Sequence, residues 1–184
     1  SLTNTDPIKT KYFPKFDWPR IDNPYLSFPL TDEVLTNVKI KEDIAVNQIK
    51  DAIKNNPNDI AALIIEPIQG EGGDNHFRCQ FFQKLKDLSI ENEFLLIYDE
   101  VQTGIGITGK MWAHQHFTPN LCQCDPPIKN SPIPDIISFG KKTQVCGILA
   151  GDRINEVEKN VFKRSSRINS TFGGNLTDMV RFKI

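Results

Sequence analysis

Three short apolar runs, separated by helical patterns and glycine loops, constrain the fold of this chain most strongly. They cover Ala61–Ile65, Phe94–Tyr98 and Ile136–Phe139, and Cys146–Ala150 is a fourth candidate. Continuous apolar strands that alternate with helices are typical of a mostly parallel sheet covered by helices on both faces. The sequence therefore predicts the α/β class.

The segments between the runs differ in character. Apolar residues recur at helical spacing in residues 79–92, and an earlier helical pattern stops at Asn55-Asn56-Pro57. Prolines recur too often in residues 1–40 for a helix or a central strand, so we expect an irregular segment rich in proline and aromatic residues there. A polar, proline-rich excursion covers residues 118–134.

Composition excludes several classes of function. The 184 residues fit one domain or a piece of a larger one, and the formal net charge of −1, without basic blocks, argues against a nucleic-acid partner. The apolar runs are strand-sized, so no membrane span is expected. Four cysteines indicate no disulfide scaffold, which favours a reducing compartment and a cytoplasmic location, with a mitochondrial one left open. The start at Ser1 and the helical pattern that only begins at Leu176 predict an internal fragment, with an N-terminal and a C-terminal part missing.

Three of the predicted strands are each followed by a functional side chain, namely Glu66, Asp99 and Lys141. In open parallel sheets, ligands bind at the carboxyl ends of the strands. A carboxylate at the edge of a dry core, such as Asp99, requires a cationic partner. A partly desolvated lysine next to Gly140 becomes a usable nucleophile. Pyridoxal phosphate, with a cationic ring nitrogen and an aldehyde, would satisfy both groups.

Two other patterns in the sequence could indicate a different ligand. Gly104–Gly109 reads G-x-G-x-x-G, but acidic residues separate it from the preceding strand, which disfavours dinucleotide binding. His114 and His116 would point in different directions on a helix, and Cys122 and Cys124 fit no standard zinc spacing. We therefore expect surface histidines, free thiols and no metal.

Three ordered motifs resemble the class III pyridoxal-phosphate aminotransferases: Ile65–Asp74, Asp99–Gly104 and Gly140-Lys141. The resemblance covers nearly the whole chain and breaks at about residues 121–134, so the excursion at 118–134 looks like a loop insertion. It implies that residues 1–184 form the central part of the large, cofactor-binding domain of a fold-type I enzyme.

Within that class, two subfamilies are similar to this chain. The first two motifs occur in both 4-aminobutyrate and L-lysine 6-aminotransferases. Three other stretches favour the lysine enzymes: Phe13–Ile21, Phe139–Gly147 and Asn169–Arg181.

The resemblance also implies roles for residues around the cofactor. Lys141 would bind the cofactor aldehyde and carry protons, whereas Lys142 would not. Asp99 would pair with the ring nitrogen, and Gln102 would hydrogen-bond the ring's phenolic oxygen close to the substrate. Thr171 would reach the cofactor phosphate of the partner subunit, which implies a homodimer.

Three further residues receive roles near the substrate. Asn169 would line the substrate pocket. Glu71 would be a gate that pairs with a C-terminal arginine and moves aside for 2-oxoglutarate. For Glu66, a structural role in supporting the glycine loop and a ligand role are both open.

The implied reaction is transfer of the ε-amino group of L-lysine to 2-oxoglutarate, giving 2-aminoadipate 6-semialdehyde and glutamate. Two alternatives stay open. One is transamination of 4-aminobutyrate or another ω-amino acid, and the other is an inactive, truncated chain that only dimerises.

Overall fold

The structure is a computed structural model that describes residues 8, 11–14, 16–122, 124–168 and 175–183. Its α-helices are α1 (Asp32–Asn55), α2 (Cys79–Glu91) and α3 (Leu176–Lys183). Its strands are β1 (Ala62–Ile65), β2 (Ile68–Gln69), β3 (Asn75–His76), β4 (Leu95–Asp99), β5 (Ile136–Phe139) and β6 (Gly147–Ala150). Short 3-10 helices cover Ala113–His116, Lys141–Thr143 and Asp152–Glu156.

The main sheet has the strand order β1-β4-β5-β6. β4 pairs in parallel with β1 and with β5, whereas β6 runs antiparallel to β5. Strands β2 and β3 form a separate antiparallel pair in the loop after β1. The predicted α/β class with a mostly parallel sheet is confirmed, and all four predicted apolar runs are strands of this sheet.

The core lies where α2 packs on one face of β4. Leu96 and Tyr98 point to that face and are completely buried, and Phe82 of α2 contacts the Tyr98 ring edge-on at a centroid distance of 5.4 Å. Leu95 and Ile97, which alternate with them along the strand, are half-buried. Burying a large apolar side chain such as Phe82 contributes about 2–3 kcal/mol, so this face anchors β4 and the polar group at its end.

Helix α1 begins earlier than the sequence predicted, because residues 32–40 are helical rather than irregular. The Thr31 side chain accepts a hydrogen bond from the backbone N–H of Val34 at 3.2 Å, and Asp32 and Glu33 stand in the first turn. These are the signals of a helix N-terminus. The frequent prolines preceding this point obscured them, whereas the predicted stop at Asn55 is correct.

The excursion at 118–134 contains no helix or strand among its described residues. It nevertheless packs on the core, since Ile128 is buried and the Tyr98 hydroxyl donates a hydrogen bond to the Pro132 carbonyl oxygen at 2.9 Å. A disulfide joins Cys79 at the start of α2 to Cys122. The prediction of a free thiol at Cys122 is therefore wrong, because the fold brings together two cysteines that are 43 residues apart in sequence.

Candidate active site

The carboxyl ends of three parallel strands bring predicted site residues to one edge of the sheet. Glu66 directly follows β1, Asp99 is the last residue of β4, and Lys141 lies two residues beyond β5. The parallel register of β4 and β5 places Asp99 beside Ser138. The structure thus brings these three side chains to the same edge, as the strand pattern predicted.

The Asp99 carboxylate is held in place through one of its two oxygens. Its Oδ1 accepts hydrogen bonds from the backbone N–H of Val101 at 3.1 Å and from the Ser138 hydroxyl at 3.0 Å. Both bonds orient the carboxylate and leave Oδ2 for a further partner. A fixed, half-buried carboxylate at a strand end is suited to pair with a cation.

Lys141 and Lys142 both reach Gln102, on the loop after β4. The Lys141 amino group donates to Oε1 of the Gln102 side chain, and the Lys142 amino group donates to the Gln102 carbonyl oxygen at 2.6 Å. The strand ends at Phe139 and Lys141 begins a 3-10 helix, so the two neighbouring lysines are not in the extended conformation, in which their side chains would point to opposite faces.

The backbone at Lys141 is strained. Its φ is +55°, in the left-handed region that non-glycine residues adopt at a cost of order 1 kcal/mol. Such conformations persist where the surrounding structure enforces them, and they cluster at functional sites. The described residues leave the Lys141 side chain exposed, so they do not provide the partial desolvation that the sequence predicted.

Glu66 supports the glycine loop that follows β1. Its Oε2 accepts a hydrogen bond from the backbone N–H of Gly70 at 3.1 Å, which favours the structural role for this residue. Burial raises the pKa of the Glu66 carboxyl above 4.5, and the nearby charges of Asp99 and Glu71 raise it further, while Gly70 and Lys141 oppose the shift. Glu66 is therefore electrostatically coupled to the groups at the other strand ends.

The glycine loop packs directly against Gln102. A Cβ atom on Gly70 would lie 2.7 Å from Cγ of Gln102, so only glycine permits this approach. The loop turns tightly, because the backbone N–H groups of Gly73 and Asp74 both donate to the Gly70 carbonyl oxygen. Glu71 is exposed within this turn, and its charge acts on the Glu66 carboxyl.

Glu100 anchors the loop that carries Gln102, a role that the sequence analysis missed. Its carboxylate is 1% exposed and accepts hydrogen bonds from the Thr103 hydroxyl and from the backbone N–H groups of Ala113 and His114. The Nδ1 atom of His114 lies 2.9 Å from Oε1 of the same carboxylate. Burial acts to raise the pKa of Glu100, but these hydrogen bonds outweigh it and hold the pKa below 4.5.

The prediction of surface histidines is wrong, since both side chains are partly buried and hydrogen-bonded. His114 contacts Glu100, whereas Nε2 of His116 lies 2.9 Å from the Thr108 carbonyl oxygen. An acidic residue at the end of an apolar run, here Glu100, was the available signal that a buried partner would be required.

Two predicted site residues, Asn169 and Thr171, lie outside the described residues. A cavity lies along β1, between residues 18–23 and α1. Glu66 lines it, but Asp99 and Lys141 do not. The Asp99 and Lys141 side chains therefore lie outside this cavity.

The sequence profile of the class III aminotransferases matches residues 1–182. The chain belongs to this family. An L-lysine-epsilon aminotransferase of Mycobacterium tuberculosis is 51% identical over 181 residues, covering 98% of this chain and 37% of that protein. A 4-aminobutyrate aminotransferase of Emericella nidulans is 41% identical over 152 residues, covering 83% of this chain and 28% of that protein.

Solved structures of the family agree with the fold. A lysine aminotransferase from M. tuberculosis, in the internal aldimine form, superposes with a TM-score of 0.84 at 50% identity. The match covers 98% of this chain and 38% of that one. The chain thus spans well under half the length of the relatives that it matches. Among the described residues, no helix combines the length and the apolar character needed to cross a membrane.

Proposed function

We propose that the complete protein transfers the ε-amino group of L-lysine to 2-oxoglutarate, giving 2-aminoadipate 6-semialdehyde and glutamate, with pyridoxal 5'-phosphate as cofactor. The observation that carries the proposal is the meeting of Asp99, Gln102 and Lys141 at adjacent strand ends in a class III aminotransferase. Residues 1–184 would then be part of the cofactor-binding large domain.

The side chains at this edge fit the cofactor chemically. Lys141 offers a primary amine, Asp99 a carboxylate with Oδ2 available, and Gln102 an amide that can hydrogen-bond an oxygen. Bound pyridoxal phosphate supplies an electrophilic aldehyde and an electron-accepting ring. We assign its ring nitrogen to Asp99 and its phenolic oxygen to Gln102.

The chain's own residues then perform the remaining steps. With the cofactor bound, the Lys141 amino group would hold and transfer a proton as general base and acid. Asp99 favours a protonated ring nitrogen, because a fixed negative charge stabilises a nearby cation. Glu66 keeps the Gly70 backbone against Gln102 and so fixes the position of the amide.

The substrate and subunit assignments draw on the relatives. The lysine enzymes match more of this chain, at higher identity, than the 4-aminobutyrate enzymes, which supports L-lysine as donor and keeps 4-aminobutyrate as the second candidate. We also propose a homodimer in which Thr171 contacts the partner's cofactor phosphate and Asn169 lines the substrate pocket. Glu71, exposed in the turn that packs against Gln102, is suited to act as the gate for 2-oxoglutarate.

A panel of amino donors tests the substrate assignment. The full-length protein would be supplied with 2-oxoglutarate and L-lysine, L-ornithine or 4-aminobutyrate, and glutamate formation would be measured. We expect the highest kcat/KM with L-lysine. A higher value with 4-aminobutyrate would transfer the assignment to the second candidate, and no activity with any donor would favour the inactive chain.

Substitution of the adjacent lysines tests the site itself. Lys141→Ala should abolish both the absorption band of the covalently bound cofactor and transamination, because nucleophile and proton carrier are lost together. Lys142→Ala is the matched control and should keep the band with a partial loss of activity, since it removes only the contact with the Gln102 carbonyl. Borohydride reduction and peptide mapping would identify the labelled lysine, and a label on Lys142 would contradict the assignment.

A further inference from the structure

Three cysteines from two distant parts of the chain meet beside the start of α2. Cys79 is the first residue of that helix, and Cys122 and Cys124 belong to the 118–134 insertion. Their sulfur atoms all lie within 4.8 Å of one another, and all three residues are partly buried. Cys79 and Cys122 form the disulfide, and Cys124 is a free thiol next to it.

The insertion is held against α2 by contacts that do not depend on the disulfide. Phe117, the residue directly before the insertion, stacks on Phe82 at a centroid distance of 4.4 Å. Within the insertion, the Pro126 carbonyl oxygen accepts a hydrogen bond from the Gln80 side chain at 3.0 Å. Ile128 is buried further along the insertion. Opening the disulfide would therefore leave three thiols close together rather than release the loop.

The spacing of the sulfurs suits a thiophilic metal ion. Tetrahedral Zn²⁺ binds thiolates at about 2.3 Å, which places its sulfur ligands about 3.8 Å apart. The three sulfurs lie within 4.8 Å of one another, which is close to that spacing once the disulfide is opened. Helix α2 has no side-chain N-cap and no acidic residue in its first turn, so negative charge on Cys79 and its neighbours would be favoured there.

We propose that Cys79, Cys122 and Cys124 bind one Zn²⁺ ion when a dithiol reductant has opened the disulfide. The disulfide takes two electrons and two protons from the dithiol, which itself becomes a disulfide. Zn²⁺ then displaces the three thiol protons, and water completes the tetrahedron. The ion would link the insertion to α2 in place of the disulfide.

Zinc retention by the full-length protein tests this site. The protein would be reduced with a phosphine, incubated with Zn²⁺ and desalted, and its zinc content measured by atomic emission. About one zinc ion per chain is expected, with none in the oxidised protein. Cys146→Ser removes the fourth cysteine of residues 1–184, which lies outside this group and is exposed, so this control should retain the metal.

Cys124→Ser is the decisive variant, because it leaves both disulfide partners intact and should lose the retained zinc. Substitution of Zn²⁺ by Co²⁺ should give thiolate charge-transfer absorption in the wild type and not in Cys124→Ser. Absence of zinc from the reduced wild type, or equal retention by Cys124→Ser, would overturn the proposal and leave the disulfide as the sole function of the group.

Discussion

Replacing Glu100 by glutamine tests how the loop bearing Gln102 is held. The native carboxylate is 1% exposed and has four groups around its two oxygens. The Thr103 hydroxyl and the Ala113 N–H contact Oε2, while the backbone N–H and Nδ1 of His114 contact Oε1. Glutamine has nearly the same shape, but it presents an NH₂ group on one side.

The substitution lowers folding stability because a backbone N–H group can only donate a hydrogen bond. A hydroxyl or an imidazole nitrogen can accept a hydrogen bond from the new NH₂ group, whereas a backbone N–H cannot. In either orientation of the amide, the N–H of Ala113 or that of His114 loses its acceptor, at about 1–3 kcal/mol. The surviving bonds also lose the strength that the negative charge gave them. Glu100→Gln should therefore lower the free energy of unfolding by about 2–4 kcal/mol.

Urea unfolding of the full-length protein, followed by circular dichroism, measures this loss. Glu91→Gln makes the same chemical change at an exposed position at the end of α2, and it should alter stability by less than about 0.5 kcal/mol.

Because the pKa of Glu100 is lowered in the folded state, its stabilising effect is present above pH 4.5 and is lost as the pH falls through the folded pKa. The difference in the free energy of unfolding between wild type and Glu100→Gln should therefore shrink as the pH falls. A loss no larger than that of the control at neutral pH would refute the reasoning.

Two further substitutions probe the glycine loop. Gly70→Ala should lower kcat/KM in a steady-state assay by about tenfold or more, because the new methyl group displaces Gln102. Gly151→Ala is the control and should change kcat/KM little, because a Cβ atom at that position has room. Glu66→Gln should gain thermal stability relative to wild type as the pH rises from about 4.5, because a carboxyl with a raised folded pKa loses stability over that range. A melting-temperature difference independent of pH would contradict this.

The local pattern of the sequence predicted the scaffold of the site. Four apolar runs were sufficient to predict four strands of the sheet, because a buried strand requires consecutive apolar residues whatever its neighbours are. Asp99 follows one such run directly and Lys141 follows another after Gly140, which predicted that they share one edge of the sheet. That inference needs only parallel pairing, which short strands alternating with helices indicate.

Contacts between distant residues were decided by the tertiary structure alone. Periodicity along the chain reports which side of an element is buried and not what buries it. Lys142 reaches the Gln102 carbonyl because the chain leaves the strand conformation after Phe139, which strand alternation cannot anticipate. The partner of the buried Glu100 is likewise set by how the following loop folds back onto it.

The cysteines show most clearly what the sequence pattern does not predict and the tertiary structure decides. Their spacing matched no metal-binding or disulfide pattern, since Cys79 stands 43 residues before Cys122. Only the packing of the excursion at 118–134 on α2 brings these two sulfurs and that of Cys124 to within 4.8 Å. A sequence determines such a cluster through the whole fold, because the contacts that hold the excursion against α2 join residues far apart in the chain, such as Gln80 and Pro126.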